Sequence, residues 1–454
     1  MLLTIGALVL VLGPLIFVHE LGHFFVAKVV GVQVLRFSIG FGRPILKARW
    51  GETEYCLSIL PLGGYVKMAG MEEQEGVAGD LEGGRPSEIV DPARAFDRKS
   101  IPARLAVLVA GVSMNLAFAW LIYTTISATV GSRELGTTQV DFVNAAQLPQ
   151  GARALAELRF GDRILRVNGD TLRSWDGFVE RVVVAPGDLR IDVAGRPAPL
   201  MIHFGGTGLR EREALIGAVV PLEPPRIGLV DPGLPAGRAG LRPGDLILRA
   251  NGDTIVSWNA LLRVVWHSPD RQISLDALRG DSVVHLTLTP KRLVETDSTS
   301  PRPKVYGQIG AGVDQPIVHV PQTVPRAALL GVRETLAAAA QVVGTLKGLL
   351  LGQLSVREVG GPILIAQISG QVARLGFEQL LRFMAFFSVN LALLNLLPVP
   401  LLDGGQIVFV LAEAVRRKPL SLNTRLRLQQ VGFVLLLCLM ALAIGNDVVR
   451  SFFH

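Results

Sequence analysis

Four stretches of the chain, residues 1–30, 101–130, 379–402 and 431–444, are long and apolar enough to be read as membrane spans, because about 20 apolar residues cross the hydrocarbon core of a bilayer. The first differs from a secretory signal peptide in having no basic n-region and no small-residue cleavage site, so it reads as a retained span. Lys and Arg gather on the cytoplasmic side of short loops. Lys28, Arg36, Arg43, Lys47, Arg49 and Lys67 follow the first stretch, and Arg98, Lys99 and Arg104 lead into the second. Arg416, Arg417, Lys418, Arg425 and Arg427 lie between the last two. Both loops are therefore expected to be cytoplasmic, with Met1, the C-terminus and the long middle segment on the other side.

The remaining composition narrows the chemistry. With 454 residues there is room for about three domains, by the usual ~150 residues each. The excess of Lys and Arg over Asp and Glu, 45 against 38, forms no dense basic block interleaved with aromatics, so loops beside a membrane explain it better than nucleic acid. Only Cys56 and Cys438 occur, one in a polar loop and one in an apolar run, which leaves no cysteine metal site. Metal ligands must come from His, Asp or Glu.

The middle segment repeats itself. "LRFGDRILRVNGDTLRSW", residues 158–175, returns as "LRPGDLILRANGDTIVSW", residues 241–258, with thirteen of eighteen positions identical. A two-copy repeat suits a pair of globular domains better than a solenoid. In each copy a Gly-Asp turn precedes an apolar strand, and Asn-Gly-Asp then gives a hairpin turn, so both are expected to be small and β-rich. "GRAGLRPGDLILRANGDTI", residues 237–255, resembles the signature of bacterial PDZ domains; upstream of Leu158 the first copy departs from it. PDZ domains bind extended peptides at a sheet edge, and the resemblance places that edge in the second copy at "RIGLV", 226–230. The pair either binds peptides or filters access.

Beyond the repeats, "VETDSTSPRPK", 294–304, reads as a polar linker. In the stretch 326–354, Arg326, Arg333, Glu334 and Lys347 argue against a full span, leaving an interfacial helix or a buried soluble one. The acidic, glycine-rich segment 72–88 reads as a flexible cytoplasmic loop.

"FVHELGHFFVAK", residues 17–28, places two histidines and a glutamate inside an apolar run. Ionisable groups at membrane depth are costly and mark function. His19 and His23, four apart, share one face of a helix with Glu20 beside it: the H-E-x-x-H pattern, in which two imidazoles hold Zn²⁺ and the glutamate takes a proton from water. A catalytic zinc has three protein ligands and one open position. The best third candidate is Asp403, in "NLLPVPLLDGGQ", 395–406, a lone carboxylate among leucines where two prolines break the helix. Irregular backbone at membrane depth fits the lining of a site.

Together these motifs resemble the site-2 protease family of intramembrane zinc metalloproteases, in particular its bacterial regulator of sigma-E protease type, with tandem PDZ domains between the second and third spans. The resemblance implies that His19, His23 and Asp403 hold zinc and that Glu20 is the catalytic base. It gives Asn395 contact with the substrate backbone, although an interhelical hydrogen bond explains that residue equally well. Residues 40–70 resemble the family's membrane-associated β-hairpin region, whose edge receives the substrate as an extended strand. Implied partners are the lipid bilayer, single-span membrane proteins such as anti-sigma factors, remnant signal peptides, and peptide ligands of the PDZ domains. Implied localisation is the bacterial inner membrane.

The expected architecture is thus a polytopic α-helical membrane protein with four transmembrane helices and two β-rich PDZ domains inserted between the second and third. Residues 1–30 are the first transmembrane helix, 31–100 the β-hairpin region and loop, and 101–130 the second helix. The PDZ domains occupy 135–220 and 221–292, followed by a linker at 293–325 and an interfacial helix region at 326–375. A third helix carrying L-D-G at 376–413, a cytoplasmic loop at 414–428 and a fourth helix at 429–446 complete the chain. A membrane-bound PDZ adaptor without catalysis is the alternative; it leaves Glu20 between two metal-spaced histidines unexplained.

Overall fold

The computed structural model describes residues 2–71, 91–204, 208–295, 304–352, 355 and 360–453. The acidic segment 72–88 lies outside the described residues. Two compact units emerge, one of Met1–Gly131 with Pro321–His454, the other of Ser132–Val320.

The first unit begins with helix α1, Leu2–Val29, and continues through strands β1, Val34–Trp50, and β2, Thr53–Met68, to helix α2, Ile101–Thr129. Pro102 in the first turn of α2 starts the helix where its missing N–H costs nothing. Pro14 sits within α1, a position that membrane helices tolerate. Small and apolar side chains of α1 and α2, among them Ala27, Val107 and Leu108, pack with Val34 and Met68 of the strands.

β1 and β2 are not a simple hairpin. Leu46 to Trp50 pair with Leu57 to Thr53 around the connecting turn, but Arg36 to Ile39 pair with Glu54 to Leu57, numbers rising together, and Val34 to Ile39 also pair with Met68 to Gly64. Each strand therefore doubles back, at Gly40 and Gly42 in β1 and at Gly63 in β2, all with positive φ. The segments lie in the order 44–50, 53–58, 34–39, 64–68, so 64–68 forms one edge, with no further strand beside it among the described residues. Cys56, expected in a loop, is buried in the second of these segments.

The second unit holds the repeat. In the first copy β5, Ile164–Val167, β6, Asp170–Thr171, β7, Leu189–Val193, and β8, Leu200–Ile202, form a sheet of order β6-β5-β7-β8. In the second copy β11, Leu246–Ala250, β12, Asp253–Thr254, β13, Ile273–Arg279, and β14, Ser282–Leu288, give the matching order β12-β11-β13-β14. The shared sequence explains the match: Asn168 and Asn251 adopt positive φ in the Asn-Gly turn. Ser174 and Ser257 cap the following helices, α3, Trp175–Val184, and α6, Trp258–Trp266, accepting from Gly177 N–H and Ala260 N–H. Each copy has its own core, one around Phe178 and Ile191, the other around Ile247 and Leu275. The copies differ among the described residues: the first carries a helix α4, Leu209–Ala218, and the short α5, Pro235–Arg238, belongs to the second.

The expected linker at 293–325 is a correction. β15, Lys291–Glu295, and β16, Lys304–Gln308, form a hairpin; β17, Ala311–Val313, pairs with β10, Ile227–Val230; β18, Ile317–Val320, pairs with β3, Ser132–Leu135. The second module thus runs on to residue 313, as the first closes by β9, Val219–Pro221, on β4, Val140–Val143. Paired strands flank the polar stretch expected as a linker.

After the repeat the chain returns to the first unit as α7, Val324–Leu350, α8, Pro362–Leu375, α9, Phe377–Asn395, α10, Asp403–Arg416, and α11, Leu422–Phe453. The expected single helix at 376–413 is two, α9 and α10, because Pro398 and Pro400 cannot continue the first. Region 326–375 is likewise two helices, Pro362 opening the second. Among the described residues, five helices are long and apolar enough to cross a membrane, Gly6–Val29, Ile101–Thr129, Val324–Leu350, Phe377–Asn395 and Asn423–Arg450, where four were expected.

Candidate active site

α1 places His19 and His23 one turn apart, both buried, with their Nε2 atoms 3.2 Å from each other. The His23 Nδ1–H donates to the Val107 carbonyl of α2 at 2.8 Å, which leaves Nε2 as the lone-pair atom of that ring. Asp403, the first residue of α10, brings Oδ2 to 3.2 Å from His19 Nε2 and 3.5 Å from His23 Nε2. Ligands about 2.0–2.1 Å from a tetrahedral zinc stand about 3.3 Å from one another, so all three edges are those of a zinc site.

Three lone-pair atoms converging at such distances repel unless a cation lies between them. Asp403 Oδ2 is buried and has no hydrogen-bond donor, an expensive condition for a carboxylate. The donor set, two imidazoles and one carboxylate, fits zinc with a position left open for water. Among the described residues these three are the only His, Cys, Asp or Glu cluster that can hold a metal ion.

The surroundings tune the first ligand. Asn115 of α2, fully buried, places its amide 3.3 Å from His19 Nδ1, and its Oδ1 is otherwise unpartnered. Turning the amide over lets Oδ1 accept from Nδ1–H, which satisfies both groups and frees His19 Nε2 for metal. Asn395, the last residue of α9, lies with Nδ2 3.2 Å from the same Nε2. On the α2 side Gly111 lets backbone close over the histidines: a Cβ there would stand 2.3 Å from His23 Nε2.

Glu20 follows His19 and faces the sheet. Gly64 of the edge segment comes so near that a Cβ would meet Glu20 Cγ at 2.9 Å. The sheet is held along α1 by rings, Phe37 lying 6.0 Å from Phe17 and 5.3 Å from Phe24 between centroids. At its base Glu52 accepts from Arg94 at 2.6 and 2.9 Å and from Lys28. The Arg94 hydrogen bonds, with Lys28, hold the Glu52 carboxyl below its ordinary pKa.

His19, Glu20, His23, Asn395 and Asp403, picked from sequence, all meet here. Sequence reasoning missed Asn115, Gly111 and Gly64. A lone amide within the apolar run 101–130 was the available signal for Asn115; the Gly-Gly pair at 63–64 reads from sequence only as a turn, and nothing there singled out Gly111.

The model of peptidase family M50 matches residues 7–439. A Neisseria meningitidis protein named for zinc metalloprotease activity is 33% identical over 98% of this chain and 99% of its own. The regulator of sigma-E protease RseP of Salmonella typhimurium is 32% identical over 98% of both chains, and protease RseP of Yersinia pestis 30% identical over 98% of both. With the family's pattern spanning nearly the whole sequence and its motif residues gathered at one point, the chain belongs to peptidase family M50, the site-2 type metalloproteases.

Proposed function

We propose that this chain is an intramembrane zinc endopeptidase of the bacterial inner membrane that cuts the transmembrane segments of single-span proteins. The observation that carries the reading is the triangle of His19 Nε2, His23 Nε2 and Asp403 Oδ2 beside Glu20, with the carboxylate oxygen lacking a donor. His19, His23 and Asp403 hold the metal. Bound there, zinc supplies Lewis acidity to a scissile carbonyl and makes water acidic enough to react near neutral pH. Glu20 takes the proton from the attacking water and passes it to the leaving amine. Asn395 orients the substrate backbone next to His19.

A helix hides its carbonyls in hydrogen bonds, so a substrate span must unwind before attack. The edge 64–68 is suited to receive it as an added strand, since Gly64 brings that edge against Glu20. The repeated modules act as tandem PDZ domains, excluding bulky ectodomains or binding new chain ends. Anti-sigma factors and remnant signal peptides are the proposed substrates; the Salmonella relative is named regulator of sigma-E protease.

Four helices cross in this reading. Along α2, Gly111 marks the site and Thr129 lies eighteen residues on, about 27 Å. Along α11, Gly432 touches Pro400 beside the site, and Asp447, fifteen residues on, accepts from the Gly361 N–H at 2.9 Å. The start of α8 therefore lies on the same side as the end of α2. α7 sets out from there too, its Ala328 carbonyl accepting from Trp120. α7, with Arg326, Arg333, Glu334 and Lys347 along it, is read as lying at the interface. Basic residues on the loops around α1, α2, α10 and α11 then put both termini and the modules on the periplasmic side.

The test is co-expression with a single-span substrate carrying a short ectodomain, comparing the parent with Glu20→Gln. Cleavage by the parent alone, at equal expression, is the expected result. Equal processing by both would favour a non-catalytic adaptor, which the M50 membership already disfavours.

A further inference from the structure

The metal ligands come from α1 and α10, and one buried carboxylate of α10 ties that helix to α2 and α11 at a distance from the site. Glu413 lies ten residues past Asp403 on α10 and is 6% exposed. Its Oε2 accepts from Arg104 Nη1 of α2 at 2.8 Å. Its Oε1 accepts from Arg425 of α11 and from the Leu420 N–H at 3.1 Å. Arg104 and Arg425 are both 7% exposed, and Arg104 stacks over Phe96.

Spacing relates this cluster to the metal ligands. Arg104 stands seven residues before Gly111, which abuts the histidines; Arg425 stands seven before Gly432, whose Cβ would touch Pro400 in the turn that delivers Asp403. Two turns of helix, about 10.5 Å, separate clamp from site on both flanking helices. Apolar side chains let packed helices slide, but a carboxylate shared by two buried guanidiniums does not, because each lost contact strands a charge. A slide of α10 by a single residue rise, 1.5 Å, would destroy the 3.2 and 3.5 Å separations of Asp403 Oδ2 from the imidazoles.

We propose that Glu413, clasped by Arg104 and Arg425, is a positioning residue that sets the axial register of α10 and so the reach of Asp403 to the metal. The inference rests on the zinc reading above. Its value is register, not stability: buried ion pairs replaced by well-packed apolar groups commonly leave a protein as stable or more so. Half-exposed Asp97 is the other carboxylate in electrostatic range of both guanidiniums and touches neither.

The experiment uses the purified full-length chain in detergent and measures zinc affinity by competition with a chromophoric chelator, alongside thermal unfolding. The variants are Glu413→Gln and the triple replacement Arg104→Met, Glu413→Leu, Arg425→Met. Zinc affinity about tenfold or more below the parent's is expected in both, as for other residues that orient ligands, including a triple variant that melts no lower than the parent. Parent-like affinity in either variant overturns the clamp, the triple deciding if Glu413→Gln fails to fold. A parent that binds no zinc overturns the metal reading itself and the clamp with it.

Discussion

Two aspartates, one in each unit, show how differently the chain uses buried charge. Asp245, in the Gly-Asp turn of the second repeat, is 1% exposed and fully partnered: Arg279 donates to both oxygens at 2.8 and 2.7 Å, and the Arg242 N–H to Oδ2 at 2.9 Å. Asp403, in the membrane unit, turns an oxygen without a donor toward two imidazole lone pairs. A satisfied carboxylate builds a fold; a stranded one asks for a cation. The difference teaches that neither burial nor acidity marks the site, only the missing partner.

Exchanging each carboxylate for its amide is the strongest way to break the contrast. Asp403→Asn should lower zinc affinity by at least about a hundredfold, beyond the usual effect of residues behind the ligands, and abolish cleavage while the repeat modules keep their fold. Metal analysis after gel filtration, with circular dichroism, checks both halves. Gly111→Ala comes next: its Cβ must displace His23, so zinc affinity should fall while unfolding stays cooperative. Asn115→Ala should cost about tenfold in zinc affinity, read by chelator competition.

The smallest effect on activity belongs to Asp245→Asn, which should leave zinc binding unchanged and lower the melting temperature of the second module by several degrees. Burial alone would raise the Asp245 pKa, but Arg279 and the Arg242 N–H hold it below the ordinary carboxylate value. Its stabilisation is therefore complete above about pH 4, the unfolded value, and lost as pH falls through the folded value. Acid titration of the parent against Asp245→Asn should show the two converging at low pH.

What was legible in the sequence follows the same division. His19, Glu20, His23 and Asp403 stood out because the solvent around them is hydrocarbon, where each polar group needs a reason. The repeat was legible because its turns, caps and strands are local. The strands within 293–325 were hidden, since β17 is completed by β10 some 80 residues earlier and β18 by β3 more than 180 residues earlier, and short strands without their partners read as linker. The doubling back of β1 and β2 was hidden likewise: one glycine-punctuated alternation serves a hairpin and a four-segment sheet equally. α7 reads both ways: it is long and apolar enough to cross, and it carries the four charges that argue for an interfacial helix.

Most direct for the central claim is X-ray absorption at the zinc edge on the purified protein loaded with one equivalent of zinc. Two imidazole nitrogens and one or two oxygens, all at about 2.0–2.1 Å, with the signal kept in Glu20→Gln and lost in Asp403→Asn, is the predicted result. Zinc that stays bound with the same spectrum in Asp403→Asn would contradict it.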